Sequence, residues 1–266
     1  MAGNTKELRN RIKSVSSTLQ MTNAMGLVAS SKIRRANEAM VKAREYLKAL
    51  DKTISDLTSD TECAKSPYMR VSEQNRTKII VIAGDRGLAG GYNANVFRLC
   101  KTFPDAEFIP IGKRSCERFG SELNSSEKYT FKEADAVAEK LCKEFAEGKF
   151  DRLGIIYTKY ISVMSGEAEI KWLLPFEKGE SKETSVVFEP DALTVFDNVV
   201  REYVSGVITS LVRESYASEV AARRMAMDSA GKNATEMIDK LSLEYNRARQ
   251  SAITQEITEI VAGSGN

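Results

Sequence analysis

The N-terminal segment carries the most regular hydrophobic pattern of the chain. Apolar or small residues recur there at alternating steps of four and three, and no proline occurs before Pro67. This is the spacing of the a and d positions of a coiled coil, sustained over about seven heptads. It predicts one helix over about residues 3–58, roughly 80 Å long, which must pair with another helix or protrude. The predicted contact positions are Leu8, Ile12, Val15, Leu19, Thr22, Gly26, Ala29, Ile33, Ala36, Met40, Ala43, Leu47, Leu50, Ile54 and Leu57.

A second helical pattern begins after Pro190 and meets no further proline. It predicts a helix over about residues 191–261, roughly 100 Å long, that is either continuous or broken near Gly206 or Gly231. One face carries Val200, Val204, Val207 and Leu211, and a second run carries Met227, Ala230, Ala234, Met237, Leu241, Tyr245, Ala248 and Ala252.

The two seams are expected to pair with each other as an antiparallel coiled coil, because one lies near each end of the chain. Small residues on both seams allow the two backbones to approach closely. This predicts contacts of Ala29 and Ala36 with Ala230 and Ala234.

The middle of the chain has a different period. Short apolar runs rich in β-branched residues alternate with helical patterns, which is the order of a βαβ sheet. The prediction is therefore an α/β fold: a long two-helix coiled coil joined to a central Rossmann-like α/β domain with a mainly parallel sheet. The predicted strands are 78–83, 107–112, 152–157 and 168–174, the helices are 92–102 and 134–147, and the predicted domain limits are 1–60, 75–190 and 191–266.

Composition narrows the possible functions. The chain has 42% hydrophobic and 29% charged residues, no histidine, and four cysteines without a C-x-x-C pair. No apolar run approaches the roughly 18 residues needed to span a bilayer, and the polar N-terminus lacks the apolar region of a secretory signal. The cysteines are expected to be reduced thiols in a cytosolic compartment, and no metal site or cofactor is predicted. The lack of histidine disfavours an enzyme active site, since histidine is the commonest general base.

Positive charge is concentrated at the N-terminus. The first 48 residues contain ten basic and three acidic residues, in a chain whose net charge is only +2. This pattern indicates either a solvated helix face or a surface for an acidic protein or nucleic acid. Nucleic-acid binding is disfavoured because aromatic residues do not interleave with the basic ones and no reading motif occurs.

A glycine-rich turn, GDRGLAGG over residues 84–91, follows the first predicted strand. It invites comparison with phosphate-binding loops, and an enzyme with a small phosphate-binding domain is therefore an alternative. The turn lacks both the P-loop pattern with its lysine and the G-x-G-x-x-G pattern. A tight strand-to-helix connection, with Asp85 and Arg86 as an ion pair that holds the turn, is the favoured interpretation.

The last helical turns are unusually free of positive charge. Residues 250–262 mix apolar side chains with hydroxyls and amides and contain no lysine or arginine, although a helix C-terminus favours cations. This end of the helix is predicted either to be buried within the chain or to be inserted into a weakly polar partner.

Several stretches, in order along the chain, carry a family resemblance. They are RNRIKSV and MTNAM near the N-terminus, GDRGLAGGYN at the glycine turn, SEVAARRMAM in the second long helix, and LEYNRARQSAITQEITEIV near the C-terminus. Together they resemble the gamma chains of rotary ATP synthases of bacterial type, over essentially the whole chain. Departures from the family pattern are Gly26 after Met25, Gly84 and Tyr92 in the glycine turn, and Ala89 at a common cysteine position.

The resemblance implies a central rotor shaft of a proton-translocating ATP synthase, without an active site of its own. Its partners would be three alpha and three beta subunits, an epsilon subunit and the membrane c-ring, with no direct binding of nucleotide or nucleic acid and no membrane span. The implied location is peripheral, on the cytoplasmic face of the bacterial plasma membrane. The implied contacts with the beta-subunit catch loops and lever are Met25, Arg223, Arg249, Gln250, Thr254 and Glu256.

Overall fold

The structure is a computed structural model that describes residues 2–72, 74, 76–179 and 188–263, with side chains from Thr5 onward. It confirms the predicted fold class of two long terminal helices and a central α/β fold with a mainly parallel sheet. The helices are α1 (Ala2–Thr58), α2 (Tyr92–Cys100), α3 (Lys113–Phe119), α4 (Phe131–Ala146) and α5 (Ala192–Gly263). The strands are β1 (Thr77–Ile82), β2 (Glu107–Ile111), β3 (Arg152–Ser162) and β4 (Ser165–Leu174), and two short 3-10 turns after α1 are Cys63–Lys65 and Pro67–Met69.

The sheet has the strand order β2-β1-β3-β4. β1 pairs in parallel with β2 and β3, whereas β4 returns antiparallel to β3 as a hairpin. Residues 79–82 of β1 are fully buried, as expected for a central strand covered on both faces. The C-terminal ends of the three parallel strands therefore lie at one edge of the sheet, where the glycine turn follows β1.

Helix α3 was not predicted, because its seven residues are too few to show a helical period. Gly112 precedes the helix with φ +96°, and Gly120 ends it in the left-handed conformation with φ +69°. A Cβ atom on Gly112 would lie 2.0 Å from the carbonyl oxygen of Ala83. Glycine is therefore needed where β2 turns into α3 against the end of β1.

Helix α5 is continuous through both glycines at which a break was considered. The carboxylate of Asp191 caps its start, since the Thr194 amide donates to Asp191 Oδ1 at 2.8 Å. A Cβ atom on Gly206 would lie 2.4 Å from Cδ1 of Leu50 on α1. This glycine allows a close helix–helix approach and does not interrupt the helix.

The described chain falls into two compact units. One contains the residues of α1 up to Ala29 and those of α5 from Arg224 onward, and the other is Ser30–Arg223. The predicted domain limits follow chain order instead, and they remain a prediction. Each long helix contributes to both units.

In the first unit, α1 and α5 pack antiparallel, as predicted. Gly26 faces Met227, with 3.6 Å between a Cβ added to the glycine and the Met227 Cβ. Gly231, one turn further along α5, faces Leu19, which lies earlier on α1. The contact position therefore moves toward the start of α1 as α5 continues toward its end, which establishes that the two helices are antiparallel.

The predicted seam of α5 was wrong at Met237, which is 45% exposed, whereas the adjacent Ile238 is half-buried. The predicted Ala230 is half-buried, and the adjacent Gly231 is buried. With Gly231 and Ile238 in place of Ala230 and Met237, the steps from Met227 alternate between four and three. A shift by one residue turns a side chain by about 100° around the helix, and packing against α1 selects between the two choices.

The predicted alanine contacts were also wrong in register. Ala36 packs with Met40 and Ala217 in the second unit, whereas Ala230 and Ala234 belong to the first. In the first unit, the pairing of Gly26 with Met227 puts Ala29 opposite α5 residues that precede position 227. Small residues on both helices allowed more than one register, and the pattern of one helix does not specify its offset from the other.

All fifteen predicted seam positions on α1 are buried or half-buried. Within the second unit, one face of the sheet packs against α4 and the adjoining parts of α1 and α5. The other face packs against α2 and α3, with Val96 and Cys100 among the buried residues. The four cysteines are free and buried. In the part of the chain that the structure describes, no helix is both long and apolar enough to cross a membrane.

Candidate functional site

The C-terminal turns of α5 form an exposed polar helix in the first unit. Arg249, Gln250, Thr254 and Glu256, four of the implied contact residues, all lie in this stretch and are exposed. The Thr258 hydroxyl donates to the backbone carbonyl of Thr254 at 2.8 Å, within the helix itself. Burial within the chain, one of the two predictions for this end, is therefore wrong for these residues.

An apolar stripe runs along the same helical turns. Ile253, Ile257 and Ile260 are 47%, 56% and 70% exposed, and they are spaced by four and three residues along one side of α5. A shallow polar groove, lined by Arg247, Gln250, Ser251, Thr254, Gln255 and Thr258, lies on another side of the helix. This end thus presents an apolar side and a side of hydroxyls and amides that Arg247 borders, and its turns also contain the carboxylates of Glu256 and Glu259.

Met25 lies on α1 in the first unit and is half-buried. Met21 and Val28, which share its side of the helix, are 63% and 54% exposed, and sequence reasoning missed both. Because Gly26 faces Met227, Met25 lies roughly 30 Å from Arg249 along the shaft. The structure therefore does not bring the implied contact residues together into one site.

The glycine turn in the second unit is held by Asp85, though not as predicted. No ion pair joins Asp85 to Arg86 among the described residues, so that prediction was wrong. The carboxylate of Asp85 instead accepts hydrogen bonds from the Ser125 hydroxyl at 2.5 Å and from the amides of Ser126 and Lys113 at 2.9 and 3.1 Å. Burial opposes ionisation, but these bonds outweigh it and lower the pKa of Asp85.

Helix α5 fills the crevice at the C-terminal ends of the strands, which is where open α/β sheets commonly bind a ligand. The Ser215 hydroxyl accepts from the Thr158 amide of β3 at 3.0 Å, and the Tyr92 hydroxyl donates to the Ser215 carbonyl at 3.0 Å. A Cβ atom on Gly84 would lie 2.6 Å from the carboxyl carbon of Glu219. A buried carboxylate therefore lies where a phosphate would bind, and this opposes phosphate binding at the turn.

Arg223, the sixth implied contact residue, lies in this crevice with its side chain 13% exposed. Its guanidinium forms an ion pair with Glu219, which is 3% exposed, and lies 3.5 Å from the carbonyl oxygen of Gly87. Burial raises the pKa of Glu219, and the adjacent Arg223 opposes that rise. Sequence reasoning missed Glu219, because the pattern of α5 does not show that Gly84 lies against it.

Solved structures with a similar fold support the architecture. The chain matches one from the mitochondrial ATP synthase of Euglena gracilis, in a structure of OSCP, F1 and c-ring, with TM-score 0.71 and 19% identity over 99% of this chain and 94% of the other. It also matches one from the central stalk and c-ring of the Tetrahymena thermophila mitochondrial ATP synthase, with TM-score 0.61 and 21% identity over 79% and 99% of the two chains. At these identities the likeness shows the fold alone.

The fold and site define a coiled-coil shaft protein whose α/β domain has its ligand crevice filled by its own helix. A family model described as ATP synthase matches residues 4–265. The chain is 41% identical to the ATP synthase gamma chain of Ruminococcus albus, over 99% of this chain and 98% of that one. It is 37% identical to the sodium-ion-specific ATP synthase gamma chain of Acetobacterium woodii, over 99% of both chains. The chain therefore belongs to the ATP synthase gamma-chain family, whose members are non-catalytic subunits of that complex.

Proposed function

We propose that this chain is the rotating central shaft of an ATP synthase. It turns inside a ring of three alpha and three beta subunits and couples that rotation to ATP synthesis or hydrolysis at sites on the beta subunits. Its other partners are the epsilon subunit and the membrane c-ring. The observation that carries the proposal is the exposed end of α5, which combines an apolar stripe with a groove lined mainly by hydroxyls and amides.

This end suits a surface that must turn within a partner. Ion pairs are directional and strong when water is excluded, so a tip rich in charges would favour one rotational angle over others. Residues 250–262 contain only two charged side chains, those of Glu256 and Glu259. Apolar and neutral polar side chains make contacts that differ less from one angle to the next. Exposed isoleucines that no residue of the same unit covers also supply the hydrophobic area that holds the tip in place.

The contact residues divide into three groups along the shaft. Arg249, Gln250, Thr254 and Glu256 contact the beta-subunit catch loops near the tip, and Met25 contacts the lever lower on the shaft. Arg223 is the third group, and its side chain is 13% exposed because it pairs with Glu219 in the crevice. The site of action is the cytoplasmic face of a bacterial plasma membrane, and the translocated ion is a proton or, as the name of the Acetobacterium relative indicates for that protein, a sodium ion.

The function is tested by co-expressing the chain with its cognate alpha and beta subunits. We expect a complex of three alpha, three beta and one copy of this chain, with magnesium-dependent ATP hydrolysis that is lost when this chain is omitted. Failure of the chain to co-purify, or hydrolysis that does not depend on it, would contradict the proposal.

The contact residues are tested in the same complex. R249A and Q250A are expected to reduce hydrolysis about tenfold, the effect of losing roughly 1.4 kcal/mol of interaction. K240A is the matched control, because Lys240 is an exposed cation of the same helix that lies outside the groove. Equal losses in K240A and R249A would show a general charge effect and would exclude a specific contact at Arg249.

A further inference from the structure

A set of polar residues in the second unit connects both long helices to one edge of the sheet. At its centre is Asp85, which joins the glycine turn to the segment 125–127. The carboxylate accepts from the Ser125 hydroxyl at 2.5 Å, from the Ser126 amide at 2.9 Å and from the Glu127 amide at 3.3 Å. These bonds fix the position of Glu127 relative to the end of β1.

Glu127 in turn contacts both helices. Its carboxylate lies 2.6 Å from Lys32 Nζ of α1, and the Tyr216 hydroxyl of α5 is a near neighbour of the same carboxylate. Lys32 and Glu127 have side chains 36% and 31% exposed, so the pair is partly shielded from water. Burial raises the pKa of Tyr216, and the adjacent Glu127 raises it further, so Tyr216 remains a hydrogen-bond donor.

The glycine turn reaches α5 by a second route. Glu219 lies directly against Gly84, and Arg223 connects Glu219 to the carbonyl oxygen of Gly87. The position of Gly84 admits no side chain without displacing this carboxylate. Leu88, at the outer end of the turn, has φ +61°, a conformation that costs roughly 1–2 kcal/mol and persists only where the surroundings hold it.

We propose that this network, formed by Asp85, Glu127, Lys32, Tyr216, Glu219 and Arg223, is a clamp that prevents α1 and α5 from turning relative to the sheet. Helix packing by apolar side chains resists separation well but resists sliding and rotation less, because such contacts are not directional. Hydrogen bonds and ion pairs are directional and fix an angle. The inference rests on the proposed rotor function, in which these helices carry torque. It assigns the stiffness of the contact between the two helices and the sheet to these six residues.

The test uses the complex with the cognate alpha and beta subunits, immobilised through that ring. A rod is attached to the α/β fold through E167C, since Glu167 is exposed and the native cysteines are buried. The angular variance of the rod is measured while the motor is paused. D85N and K32M are expected to raise this variance about twofold, as the loss of a shared polar network predicts.

The matched control is D151N. Asp151 is a buried carboxylate that accepts hydrogen bonds from Arg76, so the substitution makes the same chemical change as D85N. Arg76, which donates to it, lies just before β1 and belongs to neither long helix. D151N is therefore expected to lower stability and to leave the angular variance at the wild-type value. The clamp is overturned if D85N and K32M match the wild type, or if D151N raises the variance equally.

A second measurement separates failure of the clamp from failure of the rotor function. In the isolated full chain, hydrogen exchange is followed at residues 30–36 of α1 and 212–223 of α5. D85N and K32M are expected to speed exchange there about fivefold, corresponding to roughly 1 kcal/mol of local opening, whereas D151N speeds it near Arg76 only. If the isolated chain shows this exchange pattern but forms no complex with the alpha and beta subunits, the clamp is supported and the rotor function is contradicted.

Discussion

Arg44 of α1 and Glu214 of α5 form a two-point ion pair, with Nη2–Oε1 and Nε–Oε2 distances of 2.7 and 3.3 Å. The pair also includes β3, because Arg44 donates to the Tyr160 carbonyl at 3.0 Å and Glu214 accepts from the Tyr160 amide at 2.9 Å. The side chain of Glu214 is 7% exposed and that of Arg44 is 37% exposed. Two helices distant in sequence are thus joined to one strand at a single point.

E214A is expected to destabilise the folded chain by about 2 kcal/mol, because it removes the carboxylate that accepts from the Tyr160 amide and pairs with Arg44. The value lies below that for a fully buried pair, since Arg44 is partly hydrated. The measurement is urea unfolding of the full chain followed by the fluorescence of Trp172, the sole tryptophan. A double-mutant cycle with R44A is expected to give a coupling of about 1 kcal/mol.

The control for this cycle is the exposed pair Lys232–Asp228 within α5, whose side chains are 75% and 53% exposed. K232A and D228A are expected to change stability by less than about 0.5 kcal/mol and to show little coupling. Equal effects at the exposed pair and at Arg44–Glu214 would refute a special role for the latter.

G112A is expected to destabilise the chain by more than about 2 kcal/mol, because the added methyl would meet the Ala83 carbonyl oxygen at 2.0 Å. The matched substitution is G120A, which also has a positive φ but has nothing within 4 Å of the added Cβ. It carries only the cost of the left-handed conformation, about 1–2 kcal/mol. Urea unfolding of both variants measures the difference, and similar losses would show that the close approach contributes nothing.

Acid is expected to weaken the fold through Asp151. Hydrogen bonds from Arg76 hold the pKa of this carboxyl far below its usual range, although burial opposes that shift. A folded-state pKa below the unfolded one means that the stabilisation is complete above about pH 5 and is lost as pH falls through about 4 toward the folded value.

Urea midpoints at pH 7 and pH 3 test this dependence. The decrease between the two pH values is expected to be smaller in D151N than in the wild type, because the variant lacks the carboxyl whose protonation weakens the fold. D228N, which changes an exposed carboxylate, is expected to keep the wild-type decrease. A decrease in D151N as large as that of the wild type would show that other groups cause the acid sensitivity.

The native thiols are expected to resist labelling in the folded chain. Burial raises the pKa of Cys63 and Cys100 to about 11 and that of Cys142 to about 12, so few thiolates form at neutral pH. The E167C variant is labelled with maleimide at pH 7.5 and analysed by mass spectrometry. In the folded chain the label should modify the introduced cysteine and none of the native ones, whereas in urea it should modify every cysteine. Native labelling of any of the four would contradict their burial.

The architecture was predictable because its signals are local and periodic. The fifteen seam positions of α1 are all buried or half-buried, and the four predicted strands are present. Alternating steps of four and three residues indicate a helix, and runs of β-branched residues indicate a strand, without reference to any other element. The family resemblance likewise depends on residues in order along the chain. What these signals could not supply is the position of one element relative to another.

The candidate site shows the same division. The exposed residues from Arg249 to Glu256 could be named from the C-terminal motif, because the role proposed for them depends on a partner and not on the rest of the chain. The clamp could not be named, because Asp85 and Glu219 acquire their partners only when the glycine turn, the segment 125–127 and α5 meet at one edge of the sheet.

The sequence by itself determined the two long helices, α2, α4 and the four strands, though not the short helix α3. It also determined which side of α1 is buried and the family to which the chain belongs. The tertiary structure alone decided the offset between α1 and α5, which places Ala36 against Ala217, and the choice of Gly231 and Ile238 for the seam. The reason is that periodicity is a property of one helix, whereas an offset is chosen by the summed packing of two. Hydrogen bonds between residues far apart in the chain, such as those of Asp85, depend on that choice and so appear only with the fold.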